Sequence, residues 1–289
     1  ISATLVLSLN NIVRLQKMET TKFKTETVKT VAEYTVLIES ALRSIREANS
    51  DDILLFRGQP VDEPLLPKVA RLHNIRRKWD IPQRRSLHEN ELHMLDEFKL
   101  RSRPFLSTTP ENEWNWLALA QHHGMETRLL DWTFNPMVAL YFALAEADSS
   151  QPVVWIAMTT PSHILTPLED ADPFDLKRTT FFRPNLISPR IIAQDGWFSM
   201  HKYVARNDSF IPLEKNKSFR QYLTKITIHG KPLEHLAQLH LCGVHRAALF
   251  PDLDGVAKYI NWRCVIDNWI HIRMPQRRSE KKKESRTSD

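Results

Sequence analysis

The sequence predicts an α+β fold, a partly antiparallel central sheet flanked by helices. Three observations carry that expectation. Helical and β-branched segments are mixed without a regular βαβ rhythm. No internal repeat is visible. The chain holds six glycines, and they form neither a G-x-G-x-x-G turn nor a G-x-x-x-x-G-K-S/T phosphate loop, so the common nucleotide-binding sheets are poor matches.

Val31, Tyr34, Leu37, Ile38, Leu42 and Ile45 recur at helical spacing, which predicts an amphipathic helix over 30–48. Ile53 to Phe56 read as a buried strand that delivers Arg57 and Gly58 at its end. A helix is expected over Glu89–Leu100, with Leu92, Leu95 and Phe98 inward, and a short strand over Phe105–Thr108. Thr109 followed by Pro110 is a helix-start signal, and that helix should run towards His123 and stop at Gly124. Asn135 and Pro136 repeat the signal for an apolar helix through Ala145. Strands are expected over Val153–Met158, Arg190–Ser199 and Tyr222–Ile228, and helices over Leu233–Leu241 and Leu253–Trp262.

A chain of 289 residues is long enough to bury about three-quarters of its unfolded surface. It needs no staple, and its two cysteines, Cys242 and Cys264, suit neither a disulfide framework nor a four-ligand zinc site. A reducing compartment, the cytoplasm, fits best. No window of eighteen apolar residues occurs, so neither a membrane span nor a membrane partner is expected. Residues 1–17 precede Met18 and read as an upstream extension, 18–49 as the amphipathic helix region and 50–272 as the site-bearing domain. Residues 273–289 read as a basic disordered tail.

The formal charge is +6, but Arg273 to Asp289 contribute seven Lys/Arg against three Asp/Glu, which leaves +2 for the rest. Within the domain, positive charge concentrates between Lys68 and Arg103, notably at Arg76, Arg77, Lys78, Arg84 and Arg85. That cluster could steer a polyanion such as nucleic acid, or be an ordinary solvated face.

Four segments could carry chemistry. Arg57 ends an apolar strand as a fork-shaped, permanently charged donor, and Gly58 beside it allows close backbone approach, which suits a phosphate or carboxylate clamp; the alternative is an Arg held by a structural Asp. Ser107, Thr108 and Thr109 place hydroxyls where a strand hands over to a helix, and capping alone would explain Thr109. The densest polar run, Gln121 to Thr133, holds His122, His123, Arg128, Asp131 and Trp132 between two apolar helices. An Arg128–Asp131 buried pair is expected to fix it, with His122 or His123 available as acid/base. Around Gln194, an amide offers donor and acceptor, and Trp197 or Phe198 could stack on a planar ring or pack in the core. His240, Cys242 and His245 lack an evident fourth ligand, so no metal is expected.

FRGQ, the run ALAQHHGMETRLLDWTFNPMVALYFALAE, the Gln-x-Gly-x-Phe of AQDGWF and LFPDLDGVAKYI occur in the order of the FRG domain. The chain resembles that bacterial family, named after its Phe-Arg-Gly motif, over roughly residues 50–262. The family in turn looks like the ADP-ribosyltransferase fold, which implies NAD as a substrate. In that resemblance Arg57 takes the strand-end arginine's place and Ser107 to Thr109 the place of the Ser-Thr-Ser stretch. Gln194 stands near the position where a Glu is expected.

Cleaving the nicotinamide–ribose bond builds an oxocarbenium-like centre, so a site must clamp pyrophosphate, hold ribose and stack nicotinamide. The expected set is Arg57 and Gly58 for the clamp, Ser107 and Thr108 for ribose, and Trp197 or Trp132 for stacking. Gln194 can hydrogen-bond ribose but cannot take a proton, so an acid/base would be His122, His123 or Asp131, unless the acceptor is a nucleophile strong enough to need none. The implied activity is that of an ADP-ribosyltransferase-like toxin or phage-defence effector, acting on single-stranded RNA or on a protein, with a cognate antitoxin as a possible partner. The other classes open to it are a nucleotide-binding module without chemistry and a structural partner in a toxin–antitoxin pair.

Overall fold

The computed structural model of the chain describes residues 23–72, 78, 82, 84–147, 151–166, 171–185 and 188–273, with side chains as far as Asp267. Residues 1–17, most of the expected tail, and Arg76 and Arg77 lie outside the described residues.

The strands are β1 (Lys24–Val28), β2 (Ile53–Gln59), β3 (Leu129–Thr133), β4 (Val153–Thr159), β5 (Thr180–Phe182), β6 (Gly196–Met200), β7 (Tyr203–Val204), β8 (Ser209–Phe210) and β9 (Leu223–Ile228). The helices are α1 (Val31–Glu47), α2 (Leu87–Ser102), α3 (Glu113–His122), α4 (Pro136–Leu144), α5 (Pro189–Ala193), α6 (Pro232–Leu241), α7 (Arg246–Leu249) and α8 (Leu253–Arg273). Seven strands form one sheet in the order β1-β9-β4-β2-β3-β6-β5. β1 runs parallel to β9, and every other neighbour is antiparallel. The α+β class is as the sequence predicts, and the sheet, expected to be partly antiparallel, is mostly so. Among the described residues no helix is long and apolar enough to cross a membrane.

The segment before residue 50 is part of this core. β1 adds a sheet strand, and α1, capped by Thr30, buries Tyr34, Leu37 and Ile38 against Phe56, Leu140 and Ile226. On that same face α4 lies across β2. A Cβ at Gly58 would collide with the Ala139 carbonyl oxygen and the Ala143 amide nitrogen, so glycine is required there for helix–strand contact. This corrects the expectation that Gly58 opens the backbone to a ligand. The opposite face packs Leu55, Trp132, Trp155 and Phe181 against Leu65, Leu213 and Phe219. A third cluster seats α2 and α3 on the β3–β6–β5 end through Leu95, Trp114, Leu117, Leu129 and Phe198.

Two expected strands differ. Residues 105–108 are not a strand: α2 runs straight into a 3-10 turn at Arg103–Phe105, and Phe105 is 86% exposed. Pro104 at the start of that turn preserves the bend. The next helix starts later than Pro110, because Asn112 is the cap and accepts from the Asn115 amide at 2.9 Å. The strand expected over Arg190–Ser199 divides into α5 and β6. Ser188 caps α5 from the Ile191 amide at 3.2 Å and Pro189 occupies the first turn, a start signal that outweighs the β-branched residues behind it.

Arg128 does not pair with Asp131. It is 1% exposed and faces Glu91 of α2, which is fully buried. Its backbone N–H donates to Glu91 Oε1 at 2.6 Å and its Nε to Oε2 at 2.7 Å. Its Nη2 meets His88 Nδ1 at 2.8 Å, and the guanidinium stands 4.6 Å from the Phe174 ring. Burial and the Arg128 charge lower the His88 pKa, which suits an uncharged ring accepting through Nδ1.

A buried pair costs desolvation but is expensive to break, because the remaining charge is stranded. Glu91→Gln should lower stability by about 3–5 kcal/mol, read by urea denaturation. A loss under about 1 kcal/mol, the range of an exposed pair, would contradict the assignment.

Candidate functional site

β2 and β3 share a single register pair, Phe56 with Thr133, and Arg57 lies just beyond it. Its Nη1 donates to the Asp131 carbonyl oxygen at 2.8 Å and stands 3.7 Å from Asp131 Oδ2. The Arg57 side chain is 19% exposed, whereas Asp131 is 58% exposed. Burial lowers the pKa of Arg57, and Asp131 offsets part of that shift. A guanidinium keeps its charge in proteins regardless, so the seam holds a cation that is well covered but still reachable.

Asp131 is held from a second side. Gln121, at the end of α3, donates Nε2 to both carboxylate oxygens at 3.2 Å. Its Oε1 accepts from Thr127 Oγ1 at 2.6 Å, which fixes the orientation of the amide. Arg190 of α5 is close enough for its charge to act on both Asp131 and His122. His122 is half-buried, and burial, then Arg190 and His123, lower its pKa, opposed by Asp252. Its imidazole is therefore a neutral base at pH 7.

Further polar atoms gather behind Arg57. Its own Nε, Gln59 Oε1 and Trp155 Nε1 are buried without a hydrogen-bond partner. Gln59 lies two residues along β2 on the same strand face, and Trp155 is the register partner of Arg57 on β4. His201 continues a buried chain in which Trp132 Nε1 donates to Ser199 Oγ at 3.0 Å and Ser199 Oγ lies 3.2 Å from His201 Nε2. Such groups normally find a partner, so this cluster can receive a polar ligand group or water.

The structure brings together some of the residues singled out from sequence and separates others. Arg57, Asp131 and His122 converge with Gln121 and Arg190, which sequence reasoning did not single out. Gln121 opens the polar run, and an amide just ahead of two histidines was the available signal; nothing in the pattern marked Arg190. Gln194 is not on a strand. It caps α5, donates its side-chain amide to the Leu249 carbonyl at 3.0 Å and accepts at its backbone oxygen from Thr133 Oγ1 at 2.6 Å, so it ties loops together.

Trp132 is 3% exposed with its ring edge-on to Phe181, which closes it to a stacking ligand. Trp197, its register partner on β6, is half-buried beside the same cluster. Ser107 and Thr108 lie in the exposed loop between α2 and α3, and among the described residues neither hydrogen-bonds Arg57. Lys78, Arg84 and Arg85 are exposed. Among the described residues no group of three or more His, Cys, Asp or Glu is arranged to hold a metal.

Residues 52–151 match the family model of the FRG domain. The chain carries an FRG domain. The matched segment spans β2, α2, α3, β3 and α4, and so contains Arg57, Gln121, His122 and Asp131; α5 and Gln194 lie beyond it. Within this FRG domain the three residues of the name divide the work between packing and site: Phe56 fills the core under α1 and α4, Arg57 enters the β2–β3 seam, and Gly58 receives α4. No curated protein and no solved structure matches the chain.

His201 gives the site region an acid-sensitive element. Burial lowers its pKa from 6.5 to about 4, opposed by a backbone hydrogen bond with Ile211 and aided by a smaller contribution from Arg57. Below 6.5 the unfolded chain takes up a proton that the folded state refuses, so stability falls with pH and levels off near the folded value of about 4. At about 1.4 kcal/mol per pH unit the window is worth roughly 3 kcal/mol. Thermal melts between pH 7 and 4 should show this slope in the native chain and lose it in His201→Gln. Equal acid slopes in the two proteins would contradict the assignment.

Proposed function

We propose that this FRG-domain protein cleaves the nicotinamide–ribose bond of NAD and transfers the ADP-ribosyl group to a macromolecular acceptor, with RNA favoured. One observation carries the reading: the solvent-facing carboxylate of Asp131 is fixed between the Gln121 amide and the Arg57 guanidinium, with Arg190 close by. A carboxylate held in place beside cations suits a substrate that joins a pyrophosphate to a ribosyl centre gaining positive charge as it reacts. Arg57, whose Nε is unpartnered, supplies donors for phosphate oxygens.

In the reaction the C1′–N bond of NAD breaks and nicotinamide leaves as a neutral molecule with the bonding electron pair. An acceptor oxygen or nitrogen forms the new bond to C1′, and its proton passes to Asp131 or to the neutral imidazole of His122. Gln194, whose amide is engaged by Leu249, holds the wall of the site. The ADP-ribosyltransferase-like core belongs to this proposal: Arg57 on an inner strand favours it, and the loop position of Ser107 and Thr108 departs from it. Exposed Lys78, Arg84 and Arg85 favour an anionic acceptor. A role as a toxin or phage-defence effector in a bacterial cell, restrained by a cognate antitoxin, rests on the family resemblance. A second reading, nucleotide binding without chemistry, is favoured by the burial of Trp132 and the engagement of Gln194.

Incubating the chain with NAD labelled in the adenosine half, together with separate RNA, DNA and protein pools, discriminates these readings. Label on RNA is the expected outcome, label on protein moves the acceptor, and intact NAD in every pool overturns the proposal in favour of binding alone. His122→Ala should cut transfer by about 100-fold or more at an unchanged melting temperature. In the native chain the acid limb of the rate should lie below the ordinary imidazole value of 6.5, because His122 stays neutral to lower pH.

A further inference from the structure

A pocket of about 200 Å³ opens between α4, the α6–α7 connection and α8. Ala145, Leu236 and Val244 give it an apolar floor, and Trp262 stands at its α8 wall. Its polar lining consists of donors: Tyr141, His245, Arg246 and Lys258. None of the lining residues is a carboxylate, although the exposed Glu146 is near enough to act on Tyr141.

The donors are built in. Arg246 Nε is buried without a hydrogen-bond partner, and the guanidinium stands 4.7 Å from the Phe250 ring. Burial raises the Tyr141 pKa, with Arg246 opposing, so its hydroxyl keeps its proton. His245 Nδ1 accepts from the Ala248 amide at 3.3 Å, which places the ring proton on Nε2 when the imidazole is neutral. Burial, with the charges of His240 and Arg263, lowers its pKa and keeps it neutral. The ring is stacked on Tyr259 at 4.5 Å, and His240 packs edge-on to Trp262 at 5.5 Å, so the aromatic wall is held by its own contacts.

We propose that this pocket binds a small planar anion, an aromatic ring bearing one phosphate or carboxylate, with the ring on the apolar floor beside Trp262 and the anionic group on Arg246 and Lys258. The volume is below the several hundred Å³ of sites for larger cofactors, which favours a free small molecule. The Phe250 ring links this pocket to the Asp131 site, because it also carries Arg190, at 4.3 Å. The inference does not rest on the NAD reading.

Isothermal titration of the full chain with phenyl phosphate tests it. Binding is expected with a Kd on the order of 0.1–1 mM, weakened at least about tenfold by Lys258→Gln and by Arg246→Met. Inorganic phosphate and phenol, each lacking half of the ligand, should bind at least about tenfold more weakly. Lys258 is exposed and can be replaced without touching the core, so the test survives if Arg246→Met does not fold. No binding of phenyl phosphate, unchanged affinity in Lys258→Gln, or phenol binding as tightly as phenyl phosphate would each overturn the proposal.

Discussion

Helix α4 rests on β2 so closely that position 58 has no room for a side-chain carbon, and the placement of the site follows from this contact. Alternation along the strand sends Phe56 to the helical face with Gly58 and leaves Arg57 between them facing the other way. There β2 meets β3 at a single register pair, so the guanidinium enters the seam and takes the Asp131 carbonyl oxygen. A larger residue at 58 would lift the helix, and with it Asn135 and Thr133, which tie the β3–α4 corner to Gln194.

The buried Arg128–Glu91 pair completes the frame. It anchors α2 to the chain just ahead of β3, with His88 and Phe174 closing round the guanidinium. Because Arg128 is satisfied there, Asp131 is available to solvent and to Arg57. Arg128 thus lies three residues from Asp131, the partner of Arg57, and burial separates the two cations: Arg128 is sealed, whereas Arg57 borders an open carboxylate.

Much of this was legible in the sequence. Helical spacing located α1, the Asn135–Pro136 start signal located α4, and apolar or alternating runs located β2, β4 and β9, because each of these elements has one well-marked apolar face, cap or run. Residues 105–108 misled because a 3-10 turn with Phe105 exposed has the composition of a short strand. In the polar run, Arg128 and Asp131 look like partners by spacing, yet three positions along extended chain reverse the face. Glu91 was hidden because a charge on the inward face of α2 breaks the apolar pattern that reveals such a face. For the site, Arg57, His122 and Asp131 could be named from residue chemistry alone. Gln121 and Arg190 could not, because their roles come from where α3 ends and α5 begins.

On the proposed reading, Asp131 faces a reacting ligand and not the core. Nicotinamide release from NAD, measured for the native chain and for Asp131→Asn with both melting temperatures recorded, tests it most directly. Release by the native chain is expected, with a loss of about 100-fold or more in Asp131→Asn at an unchanged melting temperature. Release at the native rate by Asp131→Asn, or a loss that merely follows unfolding, would contradict it.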